Sequence, residues 1–156
     1  MNAIPCLTIE DVASLDGLLG EFLQKAEAEL IVVIDRGGNV ISQFGDMTVM
    51  DVTIIAALAA GSFAATKELA RRIGEVEFNA LYHQGNGSHI FMNSVDDDTI
   101  MITVFGRRTT VGLVRFYSAT TSQAVATLLQ SLSREGHGFS FDASDVTATP
   151  IFADAS

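Results

Sequence analysis

Two histidines, His83 and His89, flank the triplet Gly85-Asn86-Gly87, and two imidazoles brought together across a hairpin would begin a metal site. A two-residue Asn86-Gly87 loop, however, pairs Gln84 with His89 and His83 with Ile90, which sets the rings diagonally on opposite faces. A three-residue loop would bring them opposite one another, still without a third ligand. The reading is edge-strand polarity, with no metal. Asp96-Asp97-Asp98 offers three carboxylates in a row. A calcium loop needs spaced oxygens and a bidentate acid further on, so these three read as a solvated turn. Glu75 and Glu77 have the spacing for paired-carboxylate proton transfer, but no pocket-forming motif accompanies them, and they read as a charged loop.

Phosphate and nucleophile chemistry fares no better. Neither lysine, Lys25 or Lys67, follows a glycine, so the phosphate-wrapping loop of Gly-x-x-x-x-Gly-Lys-Ser/Thr is missing. Gly61-Ser62 falls inside a helical stretch and no Gly-x-Ser-x-Gly occurs, which removes the common serine-hydrolase elbow. Seven arginines raise the question of an arginine finger for phosphoryl transfer. Arg71 and Arg72 suit a helix C-terminus and Arg107 and Arg108 a surface turn, so none stands out. The residues imply no catalytic centre, no metal and no cofactor.

The elements that carry these residues are legible. Thr8-Ile9-Glu10-Asp11 has capping-box form, and Ile9, Val12, Leu15, Leu18, Leu19, Phe22 and Ala26 recur at helical spacing; a helix is predicted over about Glu10 to Ala28. Leu30 to Ile34 is a continuous β-branched run, the pattern of a strand covered on both faces, and Asp35-Arg36-Gly37-Gly38-Asn39 turns it into a second strand over Val40 to Phe44. Thr48-Val49-Met50-Asp51 predicts the cap of a long Ala-rich helix ending at Arg71-Arg72-Ile73-Gly74.

That helix carries two apolar stripes. Ile55, Leu58, Ser62, Ala65, Leu69 and Ile73 are expected on the sheet. Ala56, Ala59, Ala60, Phe63 and Ala70 form the other, either a self-association face or a second side buried in the same monomer. The second half reads as strands Phe78 to Gln84, Ser88 to Val95 and Thr99 to Phe105. A last helix follows, capped by Thr120 and Gln123 and ended by Gly136-His137-Gly138. The order is helix, two strands, helix, three strands, helix: an α/β (α+β) sandwich on an antiparallel sheet.

The length, 156 residues, suits one domain, and 48% apolar with 18% charged residues is a globular composition. The expected boundaries are 8–135 for the domain and 136–156 for a loosely docked or disordered tail. Nineteen acidic against nine basic residues give a net charge of −10, which repels nucleic acid and anionic lipid. Cys6 has no internal partner, Met1 to Cys6 lacks signal-peptide character, and no uninterrupted apolar run approaches ~18 residues. A cytoplasmic protein without membrane insertion is expected.

Three stretches then carry a resemblance: Leu30 to Ile41, the Ala-rich Ala56 to Ala65, and Thr110-Val111-Gly112-Leu113-Val114-Arg115. In this order the chain resembles the Roadblock (dynein light chain) family, and through Ile73 to Phe78 and Tyr82-His83-Gln84-Gly85 it is similar to the bacterial MglB-like branch. The resemblance implies a five-stranded antiparallel sheet sandwiched between helices, Roadblock/profilin-like, with the long helix on one face and the other two on the opposite face. It implies a homodimer through the long helix and third strand, forming a ten-stranded sheet. The interface would hold Ala56, Ala59, Ala60, Phe63, Phe78, Ala80 and Tyr82. The implied function is regulation of a Ras-like small GTPase (MglA-like), ordering its switch regions to stimulate GTP hydrolysis, with Lys67 and Arg71 as GTPase-binding residues and no catalytic residue of its own. The alternatives are a dimeric scaffold without GTPase-activating activity and, from a different class, a small-molecule sensor, for which the apolar central strands offer no polar anchors.

Overall fold

A computed structural model describes residues 7–48 and 50–138. Helix α1 spans Ile9–Ala26. The Thr8 hydroxyl accepts from the Asp11 N–H at 3.2 Å and the Asp11 carboxylate from the Thr8 N–H at 2.8 Å, so two otherwise orphaned donors are satisfied. Glu27 closes the helix in the left-handed region. Strands β1 (Leu30–Asp35) and β2 (Val40–Gly45) form the predicted hairpin, whose turn is tied by the Asp35 carboxylate accepting from the Asn39 N–H at 2.8 Å. Helix α2 spans Val52–Arg72, followed by β3 (Ala80–Gln84), β4 (His89–Ser94), β5 (Thr99–Phe105) and α3 (Val111–Gly138).

The five strands are antiparallel in the order β2-β1-β5-β4-β3. Side-chain alternation divides the central strands between two cores. Ile31, Val33, Phe91, Met101 and Phe105 pack with α1 and α3; Leu30, Val32, Ile34, Ile100, Ile102 and Val104 face α2. All of β5 is buried, as a strand apolar on both faces requires. The fold is thus the α+β Roadblock/profilin-like sandwich the sequence implied.

Four local expectations are corrected. The α2 cap is Asp51, whose carboxylate accepts from Thr53 and Ile54 N–H groups; Thr48 instead donates to Asp46. Helix α3 begins at Val111, not near Thr120, because the Thr110 hydroxyl already accepts from the Leu113 N–H at 3.3 Å and Gly112 is no barrier in a first turn. Strand β3 starts at Ala80; Phe78 precedes it. The fourth and largest correction is that the stripes of α2 exchange roles. Ala56, Ala59, Ala60, Phe63 and Ala70 lie on the sheet, while Leu58, Leu69 and Ile73 face outward. Branched residues of the strands already fill most of that interlayer, so the helix side meeting them is alanine apart from Phe63, and the bulkier stripe is left outside. Of the expected tail, 136–138 belong to α3 and residues from 139 on lie outside the described residues.

Candidate protein-binding surface

Asp51 fixes the start of α2 and Gly74, at φ 90°, turns the chain away after its end. Between them, Ile54, Leu58, Leu69 and Ile73 are 55%, 68%, 62% and 74% exposed. Gly61 and Ala65, also exposed, continue the same row at three- and four-residue spacing. The outcome is an apolar stripe along the helix with a flat, small-residue middle. By length and composition alone α2 is the one described helix apolar enough to cross a bilayer. Its Ala-rich side, however, is packed against the sheet of its own chain.

At one edge of the sheet lies β3, paired among the described residues only with β4. Its outer backbone groups offer a ladder to another strand. Phe78, ahead of it, packs on Phe63 with ring centroids 5.2 Å apart and so belongs to the α2 core. Ala80 and Tyr82 point to the other layer, beside α1 and α3. Tyr82 lies 3.1 Å from His89 Nδ1 and stacks on Phe105. Of the residues assigned to self-association, Ala56, Ala59, Ala60 and Phe63 are therefore enclosed within one copy. On α2 the large apolar side chains left exposed are Ile54, Leu58, Leu69 and Ile73. Sequence reasoning had Leu58, Leu69 and Ile73 in the opposite place, and the signal that separates the stripes is size: the small one goes inside.

Polar groups gather at the end of α2. Glu68 accepts from Arg71 at 2.8 and 3.0 Å and from Arg72 at 3.0 Å. These hydrogen bonds hold its carboxyl down to about 2 and raise the Arg71 guanidinium. Lys67, exposed nearby, has no ion pair among the described residues. Of the two cations assigned to partner binding, Lys67 is thus free to meet one, while Arg71 is held by Glu68.

The remaining chemistry-bearing residues stay apart. His89 pairs with Gln84 and His83 with Ile90, the diagonal register that the Asn-Gly loop dictates. The Asp96–Asp98 turn is tied by the Asp98 N–H donating to Asp96 at 2.8 Å, and the Asp98 carbonyl accepts from the Arg36 N–H at 3.1 Å. Among the described residues no three His, Cys, Asp or Glu are placed to hold a metal ion.

Residues 15–105, from within α1 to the end of β5, match the Roadblock/LC7 domain model. The chain belongs to the Roadblock/LC7 family. Among solved structures, this Roadblock domain is similar to Myxococcus xanthus MglB, with 29% identity and a TM-score of 0.74, covering 81% of this chain and 95% of that one. It is also similar to the gliding protein MglB from Thermus thermophilus, with 24% identity, TM-score 0.75, and 84% and 99% coverage. A Roadblock/LC7 domain from Streptomyces avermitilis shares the fold at 19% identity and TM-score 0.68, over 74% and 97%. No curated protein sequence matches the chain. Within the family, the likeness is to the MglB-like branch.

Proposed function

We propose that this Roadblock domain acts in the cytoplasm as a homodimer that binds a Ras-like small GTPase and stimulates its GTP hydrolysis without supplying a catalytic residue. The observation that carries the reading is the outward stripe of α2, Ile54, Leu58, Leu69 and Ile73, on a chain whose β3 ends the sheet. Large apolar residues contiguous on one exposed face mark a protein-binding surface. Two copies related by a two-fold axis would bury both stripes against each other and join their β3 edges, extending five strands to ten. The likeness to MglB structures, one of them in a tetrameric arrangement, supports self-association.

In the dimer the paired α2 helices form a broad ridge, and Lys67 of each copy stands at its border. A GTPase docked there gains hydrolysis rate only if the ridge binds the competent switch conformation more tightly than the others. A hundredfold preference corresponds to about 2.7 kcal/mol of differential contact, which a few buried side chains supply.

The test is capture of partners from source-cell lysate, run in parallel with a non-hydrolysable GTP analogue and with GDP, followed by turnover assays on the GTPase recovered. Enrichment with the GTP analogue and faster turnover are expected, and Lys67→Glu is expected to weaken both. Equal capture with both nucleotides and unchanged turnover would instead identify a scaffold.

A further inference from the structure

The charges of this acidic chain are segregated. From Thr99 to Arg134 it holds four arginines and no carboxylate, leaving five cations and all nineteen acids to the remainder. Most of this stretch is α3. Arg107 and Arg108 lie in the turn before it and Arg115 one turn inside it; all three have no ion pair among the described residues, and Arg107 and Arg115 are exposed. The Arg115 guanidinium lies 5.6 Å over the Phe91 ring. Beside it, Leu113 is exposed and Phe116 is 68% exposed. Phe116 borders a groove of about 280 Å³ between α1 and α3, floored by Leu18, Phe22 and Ala124. Lys25 and Glu21, on the rim, neutralise each other at 2.6 Å. The face is basic and aromatic, and lies across the sheet from α2.

We propose that residues 139–156 of the same chain dock on this face. That segment carries Asp142, Asp145 and Asp154 with no lysine or arginine, and Phe139, Phe141, Val146, Ile151 and Phe152 as apolar anchors. Its charge is repelled by the acid-rich remainder of the molecule and attracted by this cluster of arginines. A second copy is the poorer occupant, because two-fold pairing of this face would set arginines against arginines. The reach is sufficient. Phe116 lies ~33 Å back along α3 from Gly138 at the helical rise, and about ten extended residues at ~3.3 Å each cover that distance. Returning along α3, the chain would bring Ile151, Phe152 and Asp154 abreast of Phe116, Arg115 and the Arg107-Arg108 turn. The inference does not depend on the GTPase reading.

The test uses the full chain with Cys6→Ser and Ala153→Cys carrying a nitroxide, observed by amide NMR. Broadening concentrated on Leu113 to Thr120 and the facing turns of α1 is expected, reduced in high salt and lost when Arg115→Ala and Phe116→Ala are combined. Both side chains are exposed, and an otherwise unchanged spectrum verifies the fold of that variant. Absence of broadening on α3, or broadening that survives the double substitution, overturns the proposal. A mixture of isotope-labelled chain without nitroxide and unlabelled chain with it completes the experiment; broadening of α3 there makes the occupant another copy's segment and overturns intramolecular docking.

Discussion

Glu68 shows how far one exposed group is bent by its neighbours. Hydrogen bonds from Arg71 and Arg72 lower its carboxyl from 4.5 to about 2, favouring the ionised form in the folded chain. The contribution of this fork is therefore complete above the ordinary value of 4.5 and disappears as pH falls through about 2; full exposure and salt keep it small. The side-chain carboxyl carbon of Glu68, followed by NMR, is expected to titrate near pH 2, and near 4.5 once both arginines are alanine. A wild-type midpoint at the ordinary value would show that the fork does not form in solution. Gly45 is the opposite case, a position ruled by sterics. At φ 118° a Cβ there would lie 2.3 Å from the Glu29 carbonyl oxygen. Gly45→Ala is expected to lower stability by about 1–3 kcal/mol from backbone strain, with the clash adding to it, as denaturant unfolding would measure. A shift below ~0.5 kcal/mol would mean that the β1–β2 edge yields freely.

Helix α2 separates two kinds of contribution along one element. Phe63 is 2% exposed, between the sheet and Phe78, and Phe63→Ala is expected to cost about 3–5 kcal/mol through lost burial and the cavity left. Leu58, on the other side, supports no core. Leu58→Asp is expected to leave the melting of the monomer within ~0.5 kcal/mol of wild type while converting a dimeric mass to a monomeric one in sedimentation. A dimer surviving Leu58→Asp would move the self-association face elsewhere. The same helix shows what sequence reasoning could reach. The β1–β2 hairpin, the Asn86-Gly87 register, the buried β5 and the order of elements follow from short-range chemistry: β-branched runs, turn residues, caps. Which stripe of α2 lies inside does not, because both are apolar and periodicity fixes only their angular separation. That choice depends on the volume already supplied by Leu30, Val32, Ile34 and Ile102, a tertiary quantity. The start of α3 is hidden for a nearer reason: the Thr110 cap is followed by Val111 and Gly112, weak helix formers that long-range packing overrides.

For the molecule as a whole, a protein-binding role was legible only as a family expectation, and the side chains of the proposed surface emerged only when the layers were assembled. The inner stripe of α2 completes the hydrophobic core within one copy, so folding does not wait for a partner. At low protein concentration a folded monomer is expected, with native circular dichroism; unfolding on dilution would show that the core needs the second copy. The sheet order carries a consequence in time. Strand β1 is held on one side by β2 and on the other by β5, Leu30 pairing with Val104, so during synthesis its second edge stays open until roughly seventy further residues have been made. At about 5–20 residues per second that interval is roughly 4–14 s, during which the most apolar strand of the chain, Leu30 to Ile34, presents an unpaired edge inside a crowded cell. Ribosome-bound chains stalled before and after β5 emerges are expected to differ sharply in protease sensitivity around β1. A slowly translated message would prolong that exposure, placing the vulnerable moment of this protein before its sheet is closed.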